Sequence, residues 1–179
     1  MQTILQFPFD SVVSKMTDEP AEFQTLSERL EDVRERITSA AIRSNRDPSE
    51  ITLIAISKTH PADVVQSALE LGLQDFGENR VQEAEEKIPQ VDRKAARWHL
   101  VGHLQANKAR RAVELFDFIH SLDSTSLAQK LDRLCAEENR EELQVLIQVD
   151  LAGEETKSGI EPSRLPGLLK TLKTCERLR

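Results

Sequence analysis

The sequence predicts an α/β fold of the (β/α)8 barrel type, with about five of the eight βα units present. Three observations carry that expectation. Short apolar runs alternate with helical stretches five times, starting near Ile51, Leu73, Arg97, Phe118 and Leu143. These starts lie 21 to 25 residues apart, and strands joined by helices pair in parallel. No G-x-G-x-x-G follows the first run, which removes the usual sign of an open dinucleotide-binding sheet. Nearly equal spacing favours a barrel; an open five-stranded sheet is the alternative.

The elements follow in order. Residues 1–21 carry no clean period and are punctuated by Phe7, Pro8, Phe9 and Pro20, so they read as a loosely ordered leader. The barrel domain is expected over residues 22–179. It opens with a helix from Glu22 to Ser44, on which Leu26, Leu30, Val33, Ile37 and Ala40 share one stripe. Asp32 and Arg36 can pair across one turn on the opposite face, for only ~0.3–0.5 kcal/mol. Asn45 to Pro48 ends this helix. Ile51–Ser57 (ITLIAIS) is rich in β-branched residues and reads as the first strand. Pro61 suits the first turn of the next helix, Val64, Val65, Ala68, Leu69 and Leu71 line its face, and Gly72 stops it. Leu73–Phe76 is the second run, followed by a charged helical stretch from Asn79 to Lys87. Arg97–Val101 is the third, followed by Asn107–Leu115. Phe118–Leu122 is the fourth, followed by a helix from about Ser126 to Asn139 with Leu127, Leu131, Leu134 and Cys135 on one side. Leu143–Leu151 is the fifth, followed by Pro162–Lys173. At roughly 26 residues per unit, eight units need about 206 residues. The chain is therefore expected to be incomplete at its C-terminus, where a sixth strand should begin.

Composition narrows the function classes. Of 179 residues, 39% are hydrophobic and 31% charged, and the net charge is -7. That acidity argues against nucleic acid as a partner, because duplex binding rests on cationic contacts to phosphate. No apolar run approaches the ~20 residues of a membrane span, and the N-terminus lacks the pattern of a signal peptide. The expectation is a cytoplasmic protein with no membrane partner. Two cysteines, Cys135 and Cys175, make no disulfide framework, and Cys135 fits the apolar stripe of its helix.

In parallel α/β folds the working residues sit at the C-terminal ends of strands. Lys58, directly after IAIS, stands at such an end. Partial burial favours a neutral lysine amine, the form that attacks a carbonyl, as an aldehyde cofactor held as a Schiff base requires. The alternative is a solvated strand-end lysine. Asn79, in FGEN, could bond a ligand oxygen or cap the following helix. His99 and His103 are four apart, but His99 lies in a strand, and strand rise sets the rings about 13 Å apart; no metal site is expected. Lys108, Arg110 and Arg111 could receive an anion or form a solvated helix face. Asp123-Ser124 reads as a helix entry, and Lys157-Ser158-Gly159 as a turn or an anion loop.

Five strings now stand together: IAISKTHP, FGENRVQEA, WHLVGHLQANK, HSLDS and QVDLAGEETKSGI. In order and spacing, over roughly residues 25–179, they resemble the pyridoxal phosphate homeostasis protein family. The resemblance implies a single-domain (β/α)8 barrel similar to the N-terminal domain of alanine racemase. It implies pyridoxal 5′-phosphate bound as a Schiff base through a lysine that matches Lys58. Asn79 would lie beside the cofactor, and His99, Gly102, Gln105, Asn107 and Lys108 would line the mouth. Ser121, in HSLDS, joins the set, as do Lys157 and Gly159 on a later loop. The implied role is to hold the cofactor and keep free aldehyde low without robust turnover, with cofactor-free enzymes as recipients and a monomer favoured. Two readings compete: a weak, racemase-like enzyme acting on amino acids, and a regulatory binding module. Racemisation in the alanine racemase manner needs a tyrosine base, and the sequence contains no tyrosine. The chain departs from the family in having Asp150 where Asn is common and Ala106 where Ser is common. The groups that grip the phosphate in the family follow later strands, outside residues 1–179.

Overall fold

The structure is a computed structural model that describes residues 3–8, 25–152 and 158–179. Its strands are β1 (Thr3–Pro8), β2 (Ile51–Ile56), β3 (Asp75–Glu78), β4 (Arg97–Leu100), β5 (Phe118–Leu122) and β6 (Gln144–Ile147). They form one sheet in chain order, and every neighbouring pair is parallel. Helices α1 (Leu26–Arg43), α2 (Ala62–Glu70), α3 (Val81–Lys87), α4 (Ala109–Leu115), α5 (Thr125–Glu137) and α6 (Leu165–Leu172) fall between or after the strands. An all-parallel sheet in sequential order, with a helix in each crossover from β2 onward, curls into part of a barrel.

The two faces of the sheet differ. Ala55, Phe76, Trp98, Leu100 and Ile119 point to the helices and join one core with Val65, Ala68, Val81, Ala84, Ala112, Val113 and Leu131. Strand alternation sends the intervening residues to the inner face. There Ile54 and Ile56 are buried but stand outside that core. Asp75, His99, Phe118 and His120 follow on the same inner face, linked through register and side-chain contacts.

Local chemistry sets the ends of the helices. Thr25 and Glu28 form a reciprocal capping box at the start of α1. The helix thus begins at Leu26, the first residue of its apolar stripe and four residues after the expected start at Glu22. Gly72, at φ +82°, ends α2, with Leu73 N–H donating to the Ala68 carbonyl. Asn45 and Asn139 take the same left-handed role after α1 and α5. Pro61 is the N-cap of α2 rather than its first helical residue.

Of the leader expected over residues 1–21, only residues 3–8 lie among the described residues, and they are not loosely ordered. Residues 3–8 are a strand, paired parallel with the whole of β2 from Thr3 opposite Ile51 to Pro8 opposite Ile56. A lone six-residue run has no period to read; its pairing is decided by the free edge of β2. At the other edge, Leu143 N–H donates to the Arg177 carbonyl at 2.8 Å and Val145 N–H to that of Arg179 at 2.8 Å. Leu143 and Leu178 thus form a parallel bridge beside β6, at the place where a sixth strand was expected to begin.

Candidate functional site

The ends of β2 to β6 open on one rim. At β2, the ladder continues one residue past the strand, with Ser57 N–H donating to the Gly77 carbonyl at 2.9 Å. Ser57 is fully buried and its hydroxyl donates to Glu78 at 2.8 Å on the helix side. Alternation then turns Lys58 toward the inner side. Lys58 is half-buried, and its ammonium forms no hydrogen bond or ion pair with any described residue.

Beneath the turn lies a buried ionic group. Lys87, at the end of α3, is 7% exposed and donates both to the Ser57 carbonyl at 2.7 Å and to the Glu78 carboxylate. Burial pushes the Glu78 carboxyl above its ordinary pKa, partly offset by the hydrogen bonds from Lys87 and Ser57. Sequence reasoning did not single out this group. A lysine in a helix rich in Glu reads as a solvated charge, and only the packing of α3 on β3 shows otherwise.

At β3 and β4, the backbones meet closely. A Cβ at Gly102 would overlap the main-chain carbonyl oxygen of Asn79 and lie 2.9 Å from its carbon. Gly102 therefore serves the contact between the two rims. Asn79 is exposed and does not cap α3, whose N-cap is Arg80. Gln105 and Asn107 are exposed around a short 3-10 turn, Ala106–Lys108. Arg110 pairs with Glu137 and Glu138, and Arg111 with Glu85 and Glu114, so these two arginines do not form an anion site.

His99 is 1% exposed and sits below the rim. Its Nε2 bonds Asp75 at 2.9 Å, its Nδ1 bonds His120 at 3.0 Å, and its ring stacks on Phe118. It is a member of an inner polar layer rather than a residue of the mouth. His103 instead faces Asp123, 3.4 Å away. Burial raises the Asp75 carboxyl, but hydrogen bonds from His99 and Arg97 outweigh it and hold the pKa below the ordinary value. Burial, helped by His99, pushes His120 down to about 4. Ser124 caps α5 through Leu127 N–H, as the helix-entry reading of Asp123-Ser124 requires. Cys135 is buried in the core, and burial raises its thiol pKa.

A β-bulge in β5 adds the last group. Ile119 pairs with Val145 and Leu122 with Ile147, so His120 and Ser121 together oppose Leu146. Ile119 and Leu122 both lie in the helix-side core, so the bulge turns the two residues between them away from it. The Ser121 hydroxyl is buried and has no hydrogen-bond partner among the described residues. At β6, Asp150 N–H donates to the Ile160 carbonyl and the Gln148 side chain to that of Ser158. Lys157 lies outside the described residues. The donor set at the ends of β2, β3 and β5 suits an aldehyde-bearing aromatic ligand: a primary amine and a buried hydroxyl without partners among the described residues, and an exposed amide.

The fold and this rim define a barrel of the alanine racemase N-terminal type, and residues 19–179 match the family "Alanine racemase, N-terminal domain". An alanine racemase from Clostridium difficile shares the fold, with a TM-score of 0.57 at 15% identity. More specific relatives are the proteins named pyridoxal phosphate homeostasis protein. That of Pseudomonas aeruginosa is 39% identical over 155 residues, which are 87% of this chain and 67% of that protein. That of Escherichia coli K12 is 40% identical over 158 residues, 86% of this chain and 67% of that protein. The chain belongs to the pyridoxal phosphate homeostasis protein family. It spans about two thirds of the length of these relatives. The structure of PipY from Synechococcus elongatus with pyridoxal phosphate bound has a TM-score of 0.68 and 41% identity, covering 82% of this chain and 66% of that one. No described helix is long and apolar enough to cross a membrane.

Proposed function

We propose that this chain binds pyridoxal 5′-phosphate through Lys58, as a Schiff base, and serves to hold the cofactor rather than to turn over substrate. The observation that carries this is half-buried Lys58, its amine without a partner among the described residues, at the end of β2 in a chain 41% identical to the cofactor-bound PipY. When bound, the cofactor supplies an aldehyde that condenses reversibly with a primary amine. The chain's own part is to present the amine, offer the Ser121 hydroxyl and the Asn79 amide to polar groups, and keep the turn at Ser57 rigid. Gln105 and Asn107 flank the rim as further polar contacts, and Lys157 is proposed as a further cofactor contact. His99 supports the floor of the site through Asp75 and His120. Cofactor-free enzymes are the proposed recipients.

The test is cofactor titration followed by borohydride reduction and peptide mapping. The wild-type chain should show an absorbance band near that of a protonated imine and a fixed adduct on Lys58. Lys58→Ala should lose both. Uptake by Lys58→Ala with unchanged affinity and spectrum would overturn the assignment.

A further inference from the structure

We propose that Lys87 is the positioning residue for Lys58: its buried ammonium fixes the Ser57–His60 turn in the one shape that presents the amine to the rim. The inference rests on the reading of Lys58 as the cofactor lysine. Its grounds are the contacts of the turn. The Ser57 carbonyl, one peptide bond before Lys58, accepts from Lys87 at 2.7 Å and from His60 N–H at 3.1 Å. The Ser57 hydroxyl and Lys87 converge on the same oxygen of Glu78, which is itself fully buried. Thr59, next after Lys58, holds φ at +66°. A β-branched residue resists that conformation, and it persists only where its surroundings over-determine it. Here the surroundings are the two bonds on the Ser57 carbonyl.

A lysine at this place is also costly. Position 87 faces β3 from α3, where apolar residues usually pack, and replacing a buried ion pair by apolar side chains is often neutral or stabilising. Stability alone therefore gives a weak reason for it. Geometry gives a stronger one: an ammonium can donate at once to the Ser57 carbonyl and to Glu78, joining α3, β3 and the end of β2 at one atom. Charge acts in the same direction. The groups around the turn are Glu78 on β3, Glu83 and Glu86 on α3, and His60 on the turn itself; Glu83, Glu86, His60 and Lys87 line a cleft of about 420 Å³ with Thr59. Removing Lys87 leaves carboxylates facing the turn without their cation, and nearby carboxylates favour the charged, unreactive form of an amine.

The test compares wild type, Lys87→Met, Lys87→Arg and the double variant Glu78→Leu/Lys87→Leu. Emission of Trp98, the single tryptophan and fully buried, reports folding. The first readout needs no cofactor: Lys58 in the free protein is labelled with trace acetic anhydride across pH, and the rate is read by mass spectrometry. Lys87→Met should slow labelling and move its pH profile upward, and should lower pyridoxal phosphate fixed on Lys58 by roughly ten- to a hundredfold, the range a small misplacement of a reacting group produces. Lys87→Arg, which keeps a donor cation, should restore part of both. The double variant, which removes the buried Glu78 carboxylate together with its cation, should fold and still show the slow, displaced Lys58. A folded Lys87→Met or double variant with wild-type labelling and wild-type fixation would overturn the proposal. If wild type fixes no cofactor on Lys58, the reading of the site fails, while the labelling profiles still decide what Lys87 does.

Discussion

His120 shows what one buried ring does to the pH response of this chain. It is flanked by His99, which bonds Asp75, and its pKa falls from 6.5 to about 4 because burial disfavours the charged form. Between those values the unfolded chain takes the proton more readily than the folded one. Stability therefore drops as pH is lowered from about 6.5 toward 4 and levels off below that. Asp75 adds a second loss at lower pH, since its carboxyl pKa is held below the ordinary value in the folded state. His120→Gln keeps a donor for His99 Nδ1 and removes the titration. Urea unfolding at pH 7 and pH 5 should show the wild-type loss shrinking by about 1–2 kcal/mol in the variant; an unchanged loss would place the titrating group elsewhere. Residues of this kind were only half legible in the sequence. The strand-end position of Lys58 could be read, because a strand end is a place that pattern reveals. Lys87, Glu78 and Asp75 could not, because their meaning lies in partners on other elements 9 to 30 residues away.

Elements were read well where their periodicity is local. Phe118–Leu122 is a strand at the bounds its short apolar run gave, and α5 carries Leu127, Leu131, Leu134 and Cys135 inward as its spacing requires. The capping box Thr25-x-x-Glu28 was not read in the sequence, and it, with the stripe that starts at Leu26, fixes the start that the expected bound at Glu22 missed. The bulge in β5 and the pairing of β1 carry no local signal, since both depend on a neighbouring strand. Gly102 is intermediate: sequence marked it as a site residue, and the structure gives it a backbone reason. Gly102→Ala would press a methyl group into the Asn79 carbonyl, which is main chain and cannot swing aside. The strand ends must part, at a cost of roughly 1–3 kcal/mol. Calorimetry should show a Tm lower by several degrees, and cofactor fixation on Lys58 should weaken as Asn79 shifts. A variant with wild-type Tm would mean that the two rims are looser than this contact shows.

At the scale of the whole molecule, one hydrophobic cluster runs from Leu30 to Leu178 and includes buried residues from α1 to α6. A single core of this kind unfolds as a unit, because no part can leave without exposing the rest. Trp98 lies fully buried within it, 5.7 Å from Phe76, and reports on the core alone. Far-ultraviolet circular dichroism instead averages over every helix. In a urea titration the two signals should give the same midpoint. The periphery should behave differently. Helix α1 buries only Leu30 and Ala41 over 18 residues, and β1 is held along a single edge. Amide hydrogens of these two elements should exchange through local opening, well before those of β3, β4 and α5, whose exchange should track global unfolding. Separate midpoints for tryptophan emission and dichroism would show that the cluster is two cores. Protection of β1 equal to that of β4 would show that the edge of β2 is sealed as firmly as the interior of the sheet.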